Sequence, residues 1–274
     1  MREKFGYINT TSTVKIEENK IVAFQKNVSQ EYSFRVYKDG FAGVHYQVGE
    51  MSDEEGFKRA EQNLVLKRPY PYPLATGSRK RNKCERILSD RELLDIAKEA
   101  LTHISGKYPQ FTLSGSFYQN TDTHLRTNDN GLDFENTDSS VHVEISYKHK
   151  DSKNITDGYF EIGQRDFSFE KLYDMADNYL GNYETKVDFP EETILQSQYY
   201  GLIGMVNSCL NAESLALGTS LFSGKLGQKL FSEDFTLVDD WSDEECWHQA
   251  FWDGEGYVRE NDRRVFIEKG VPLL

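Results

Sequence analysis

Short polar turns between runs of alternating large and small residues constrain this chain more than any other feature. Lys38-Asp39-Gly40 joins residues 32–37 to residues 42–48, and Asn130-Gly131 and Asp157-Gly158 separate later runs. Such pairs supply the positive φ that a tight hairpin demands, so each predicts two antiparallel strands rather than a crossover. Further candidate strands are Val14 with Ile16 and residues 21–24, about a polar turn at 17–20. After them come residues 111–118, 124–127, 141–148 and 159–162.

Helix signals interrupt these runs. Ser52 with Glu55, and Ser89 with Glu92, have the spacing of a capping box, in which a hydroxyl and a carboxylate satisfy amides at the helix start. Phe57, Ala60 and Leu64 follow the first on one face, until Pro69, Pro71 and Pro73 open a loop. Leu93, Ala97, Leu101 and Ile104 follow the second at helical spacing, with Gly106 as a stop. Ser168 caps a third helix with Leu172, Ala176 and Tyr179 inward and Gly181 beyond its end. Residues 194–217 form the longest helix-compatible segment, interrupted by Gly201 and Gly204. Strands and helices do not alternate one for one as a doubly wound sheet requires. The expected fold class is α+β in two parts, each with antiparallel or mixed strands and packed helices. The polar stretch 183–190 places the division between residues 1–185 and 186–274.

Charge and cysteine usage exclude several classes of function. A formal net charge of −13 over 274 residues argues against a nucleic-acid backbone as partner. The basic cluster Arg79, Lys80, Arg81, Lys83 and Arg86 reads as a solvated loop. No run approaches the ~18 apolar residues of a membrane span, and the N-terminus has no signal-peptide core. Cys84, Cys209 and Cys246 form neither a disulfide framework nor a metal knuckle. A cytoplasmic protein is expected.

Three constellations invite a chemical reading. His142 and Glu144 share one face of a strand, but His149 has the opposite parity, so a metal triad there would need a bulge. Gly218 to Lys225 fails the phosphate-loop pattern, since five residues separate Gly218 from Gly224 and Leu226 follows the lysine. Asp239, Asp240, Asp243, Glu244 and Glu245 with His248 fail the calcium-loop pattern and read as a solvated acidic turn. Nucleophile elbows are absent, and Cys246 with His248 is too local a pair for the usual thiol–imidazole arrangement. The densest group of turn residues lies at Gly218, Gly224 and Gly227, ahead of a strand-like run at 235–238 that Asp239-Asp240 is expected to stop.

GTSLFSGKLG at 218–227, the Asp239-Asp240 pair, Asp253-Gly254-Glu255-Gly256 and Ile267-Glu268-Lys269-Gly270 stand in this order. Together they resemble the TldD/PmbA family of metallopeptidase-like proteins. The likeness is strongest over 218–270. It is fainter upstream, where the Ala42-Gly43 hairpin, the next helix and the strands match the family's N-terminal domain in order. It implies that active TldD-type members depend on metal through a helical motif, His-Glu followed by three residues and a second His. Laid on this chain, that motif falls on Ile203, Gly204 and Ser208, none of which ligates zinc as imidazole or carboxylate would. The family also normally continues beyond the last of these pieces, so residues 186–274 read as a shortened C-terminal domain. The resemblance is therefore closest to the PmbA (TldE-type) member. It implies a non-catalytic subunit acting on peptides in a hetero-oligomer, with no cofactor in this chain and zinc only in a TldD-type partner. Gly218, Thr219, Ser220, Gly224 and Gly227 are the expected peptide-binding residues, because glycine turns can hold an extended chain by its backbone. The alternatives are an interaction or regulatory module that kept the fold without a peptidase role, and a hydrolase using the carboxylates of 239–255.

Overall fold

The computed structural model describes residues 1–84, 86–185, 201–240, 250–258 and 260–273. The chain divides into two compact units, residues 1–185 with 244–257, and residues 186–243 with 258–274. The first contains, in order, β1 (Arg2–Glu17), β2 (Lys20–Lys38), β3 (Phe41–Val48), α1 (Asp53–Gln62), β4 (Arg68–Pro69), β5 (Gly77–Asn82) and α2 (Asp90–Lys107). It continues with β6 (Phe111–Asn128), β7 (Leu132–His149), β8 (Gly158–Gln164) and α3 (Phe169–Ala176). The second contains α4 (Gly201–Cys209), α5 (Ala212–Ala216), β9 (Leu237–Asp240), β10 (Arg263–Glu268) and β11 (Val271–Pro272). The fold is α+β, as the sequence predicts.

Hairpin turns set the first sheet. Glu18 and Asn19, and then Asp39 and Gly40, take positive φ and fold β1, β2 and β3 into an antiparallel meander. The strand order is β4-β3-β2-β1-β6-β7-β5, and β8 also pairs with β7. The outer edge of β7 is shared, with β5 parallel along residues 132–137 and β8 antiparallel along 141–147. One face carries the core. Val14, Ile16, Phe111, Leu113, Phe117, Val143, Ile145 and Phe160 pack against Leu93, Ala97 and Ile104 of α2 and Leu172 and Ala176 of α3. A smaller cluster of Phe34, Val36 and Ala60 seats α1.

Several local expectations need correction. The strands are far longer than their apolar runs. β6 is one strand where two were expected, and β1 begins at Arg2. Residues 77–82 are strand β5 and not loop: they pair in parallel with residues 132–137, and Arg79 and Arg81 place guanidinium carbons 4.3 and 5.4 Å from the Phe251 ring centre. α2 has the full capping box of Ser89 and Glu92. α1 has only half of one: Ser52 accepts from the Glu55 amide at 3.3 Å, while the Glu55 carboxylate turns to Arg59 at 2.8 Å. α3 runs past Ala176 into a π-helical turn over Asp177–Gly181 that buries Leu180.

In the second unit the order is β11-β10-β9. Residues 194–200 of the expected long helix lie outside the described residues. The rest is two helices, because Asn211 caps α5 by accepting from the Ser214 amide at 3.0 Å. Asp239 and Asp240 do not stop a strand. They lie in β9 opposite Arg264 and Arg263, whose charges give them cross-strand partners. Gly270 closes the β10–β11 turn at φ +82°, and a Cβ there would stand 2.3 Å from the Phe231 carbonyl oxygen. Both the dihedral and the space demand glycine.

Candidate functional site

The five expected peptide-binding residues lie on a succession of turns in the second unit. Gly218, Gly224 and Gly227 have φ of +73°, +71° and +78°, with open space where a side chain would stand. Glycine is there for the dihedral alone. The amides of Gly218, Thr219 and Ser220 donate to the carbonyls of Leu215, Ser214 and Ser214 at 3.2, 2.9 and 3.2 Å, and that of Gly227 to Pro272 at 2.9 Å. The Ser220 hydroxyl donates to the Cys209 carbonyl and accepts from the Phe222 amide at 3.0 Å. These turns thus tie α4, α5 and β11 together, and most of their amides are used in doing so. Ser223, which the sequence reading passed over, has a buried hydroxyl oxygen with no partner among the described residues.

Ile203, Gly204 and Ser208 lie on α4, ahead of those turns. Gly204 and Ser208 are one turn apart, and the Ser208 hydroxyl donates to the Gly204 carbonyl at 2.8 Å. Ile203 is half-exposed. The three do not fit a zinc ion, since none offers a nitrogen or carboxylate ligand.

In the first unit, Asp253-Gly254-Glu255-Gly256 forms a tight turn. The Asp253 carboxylate accepts from the amides of Glu255 and Tyr257, both at 2.9 Å. Its carbonyl accepts from Arg126 Nη1 at 3.1 Å. Arg126 and Glu3 are both fully buried and meet at 3.1 Å. The other Glu3 oxygen accepts from the Tyr37 hydroxyl at 2.6 Å, and burial together with this bond pushes the Tyr37 phenol up. Glu255 accepts from Tyr70 at 2.7 Å and Arg35 at 3.3 Å. Phe251 and Trp252 beside this turn bury themselves against Phe134.

Residues 192–272 match the model of the PmbA/TldA metallopeptidase C-terminal domain. That stretch is similar to the C-terminal domain of PmbA/TldD-type proteins. An uncharacterized protein of Methanocaldococcus jannaschii is 25% identical over 94% of this chain and 62% of its own length. The fold is similar to that of TldE from Thermococcus kodakarensis, at TM-score 0.75 and 16% identity, over 99% of this chain and 65% of the other. It is equally similar to a Thermotoga maritima protein described as a candidate modulator of a DNA gyrase, at TM-score 0.75 and 17% identity, over 99% and 66%. The chain thus spans less than two thirds of the length of each of these relatives.

Of the segments that carry the PmbA/TldD likeness, Asp253–Gly256 is a structural turn in this chain, and Ile267–Gly270 is the end of β10 with the turn into β11. The remaining candidates are dispersed. The His142 ring stacks on Tyr118 at 5.0 Å, and Glu144 accepts from the Tyr118 hydroxyl at 2.6 Å. His149 accepts from the Asp151 amide and stacks on Tyr183. Of the acidic turn, Asp243, Glu244, Glu245, Cys246 and His248 lie outside the described residues. Among the described residues no three His, Cys, Asp or Glu side chains gather to hold a metal ion, and no helix is long and apolar enough to cross a membrane.

The sequence reading also missed a polar stripe across the first sheet. Asp122 accepts from the Tyr7 hydroxyl and from Asn9 Nδ2, both at 2.7 Å, and Arg165 pairs with Asp138. Asp122, Asn136, Asp138 and Ser140 are all buried. The only trace of this in the sequence is the run of Asn, Asp, Thr and Ser in the middle of β1, β6 and β7.

Proposed function

We propose that this chain is a non-catalytic subunit of TldE/PmbA type that pairs with a TldD-type catalytic subunit acting on peptides. The observation that carries the reading is the content of α4, where the positions the family gives to its metal motif hold Ile203, Gly204 and Ser208. Cleavage of a peptide bond needs an activated water, and a metal supplies one by lowering its pKa towards about 7. None of these three positions offers a zinc ligand, so the reading gives the chemistry to the partner. The family match over 192–272 and the fold shared with a TldE support the assignment. The role left to this chain is to hold an extended peptide beside the turns of Gly218, Thr219, Ser220, Gly224 and Gly227, in the open space over the three glycines, since most of the turn amides are bonded within the unit.

The test is co-expression with a TldD-type subunit carrying the His-Glu motif. The pair should co-elute on a sizing column and hydrolyse peptides in a chelator-sensitive way. The chain alone should do nothing, and Ser208→Ala should leave the pair active. Hydrolysis by this chain alone in the presence of chelator would overturn the reading. Failure to associate with any TldD-type subunit would favour the regulatory module instead.

A further inference from the structure

A small hollow opens on the first sheet of the first unit. Cross-strand register sets His124 beside Tyr7, Tyr7 beside Glu31, Phe5 beside Ser33, and Ser33 beside Tyr46. Their side chains therefore rise from one face of the sheet. Ser33 is short, so a dip opens between the rings. The dip measures about 190 Å³, room for one side chain, and Trp252 also lines it.

Its walls are aromatic and its polar groups are acidic. The Tyr7 and His124 rings lie 4.8 Å apart. The Tyr46 hydroxyl donates to the Glu31 carboxylate, and the Tyr7 hydroxyl donates to buried Asp122. The nearest cations, Arg35 and Arg126, sit over Phe5 at 4.5 and 4.0 Å. Both already answer to Glu3, and Arg35 also to Glu255. Among the described residues no cation pairs with Glu31, which is half-buried.

We propose that this hollow binds the cationic side chain, arginine or lysine, of a peptide. Ring faces attract a cation through their quadrupole, and Glu31 supplies the matching charge. An apolar side chain would bury the carboxylate further with nothing to compensate it, and an anion would be repelled. This inference does not rest on the chain being a non-catalytic subunit, nor on the glycine turns.

The experiment is an NMR titration of the full chain with N-acetyl-arginine amide, N-acetyl-lysine amide and the neutral isostere N-acetyl-citrulline amide. Ligands of this size bind in the millimolar range, so shifts rather than heats are read. Saturable shifts of the Trp252 indole and the Tyr46 ring are expected with the two cations, and citrulline should bind roughly tenfold more weakly. Glu31→Gln should weaken the cations by a similar factor. Tyr46→Ala should also weaken them, and because Tyr46 is 55% exposed it should leave the fold intact. The proposal is overturned by the absence of saturable shifts at these groups, by equal binding of citrulline, or by unchanged affinity in a folded Glu31→Gln variant.

Discussion

Removing the charge of Glu3 should cost the first unit about 3–5 kcal/mol of stability. Glu3 and Arg126 are fully buried, and each Glu3 oxygen has its own donor, Arg126 Nε at 3.1 Å and the Tyr37 hydroxyl at 2.6 Å. In Glu3→Gln the amide oxygen can still face Arg126, and the Tyr37 hydroxyl can turn to accept from the amide nitrogen. What is lost is the negative charge opposite a guanidinium that has left water. Breaking a buried pair from one side costs about 3–5 kcal/mol, and the retained hydrogen bonds place the Gln variant near the lower end, about 3 kcal/mol. In a domain of this size that lowers the melting temperature by about 6–12 °C. Glu3→Leu should cost about 5 kcal/mol, whereas Glu3→Leu with Arg126→Met should recover about 2 kcal/mol of the summed single losses, since no charge is then left buried. Thermal and urea unfolding give these values. A local assay accompanies them. Arg126 also holds the Asp253 carbonyl, so the amides of Glu255 and Tyr257 should exchange hydrogen faster in Glu3→Gln. A Gln variant within about 0.5 kcal/mol of the parent, or singles that simply add, would refute the argument.

Other outcomes are equally specific. Gly270→Ala should destabilise the second unit by about 1–3 kcal/mol, because the new methyl meets the Phe231 carbonyl at a positive φ; Gly40→Ala, with open space around it, should cost less in the same melting experiment. Phe251→Ala should cost about 3–5 kcal/mol, since the ring is fully buried between Phe134 and Arg79. Amide and hydroxyl bonds from Ser89, with Arg86 beside them, hold the Glu92 carboxyl down at about 2. Its folded value is thus below its ordinary one, so its stabilising effect is complete above the ordinary carboxylate range and is lost as pH falls towards about 2. A carbon-detected titration of Glu92 should show this midpoint, and Ser89→Ala should raise it.

Two of the turns were legible, but Asp157-Gly158 was not one, since Gly158 opens β8 opposite Tyr147 without a positive φ. The strand lengths were not legible either. Asp39-Gly40 and Asn130-Gly131 announce hairpins because few other residues accept those dihedrals. Between Asn120 and His124, however, β6 shows no apolar alternation, and the sequence splits it in two. The structure keeps it whole because the main-chain ladder to β1 and β7 continues there, while Asp122 finds Tyr7 and Asn9 across the strands. Hydrophobic periodicity reports burial against carbon, and a stripe buried among hydrogen bonds leaves no such mark. β5 was hidden for the opposite reason. Arg79 and Arg81 look solvated in sequence, yet their guanidinium groups lie over the ring of Phe251, more than 150 positions along the chain and beyond the reach of any local pattern. The content of α4 could be read directly, since the absence of a ligand-bearing side chain at Ile203, Gly204 and Ser208 is a fact of sequence alone.

Residues 250–257 lie in the first unit, although the chain on both sides of residues 244–257 belongs to the second. No single break in the gene can therefore deliver either unit whole. A fragment ending at Thr185 would lack Phe251 and Trp252 over Phe134, and Arg126 would lose the Asp253 carbonyl. A recombination that exchanged only the later half would bring a foreign Phe-Trp-Asp segment onto an aromatic seat it had not been selected to fit. A substitution at Phe134 or Arg79 will therefore be tolerated or not according to what stands at Phe251.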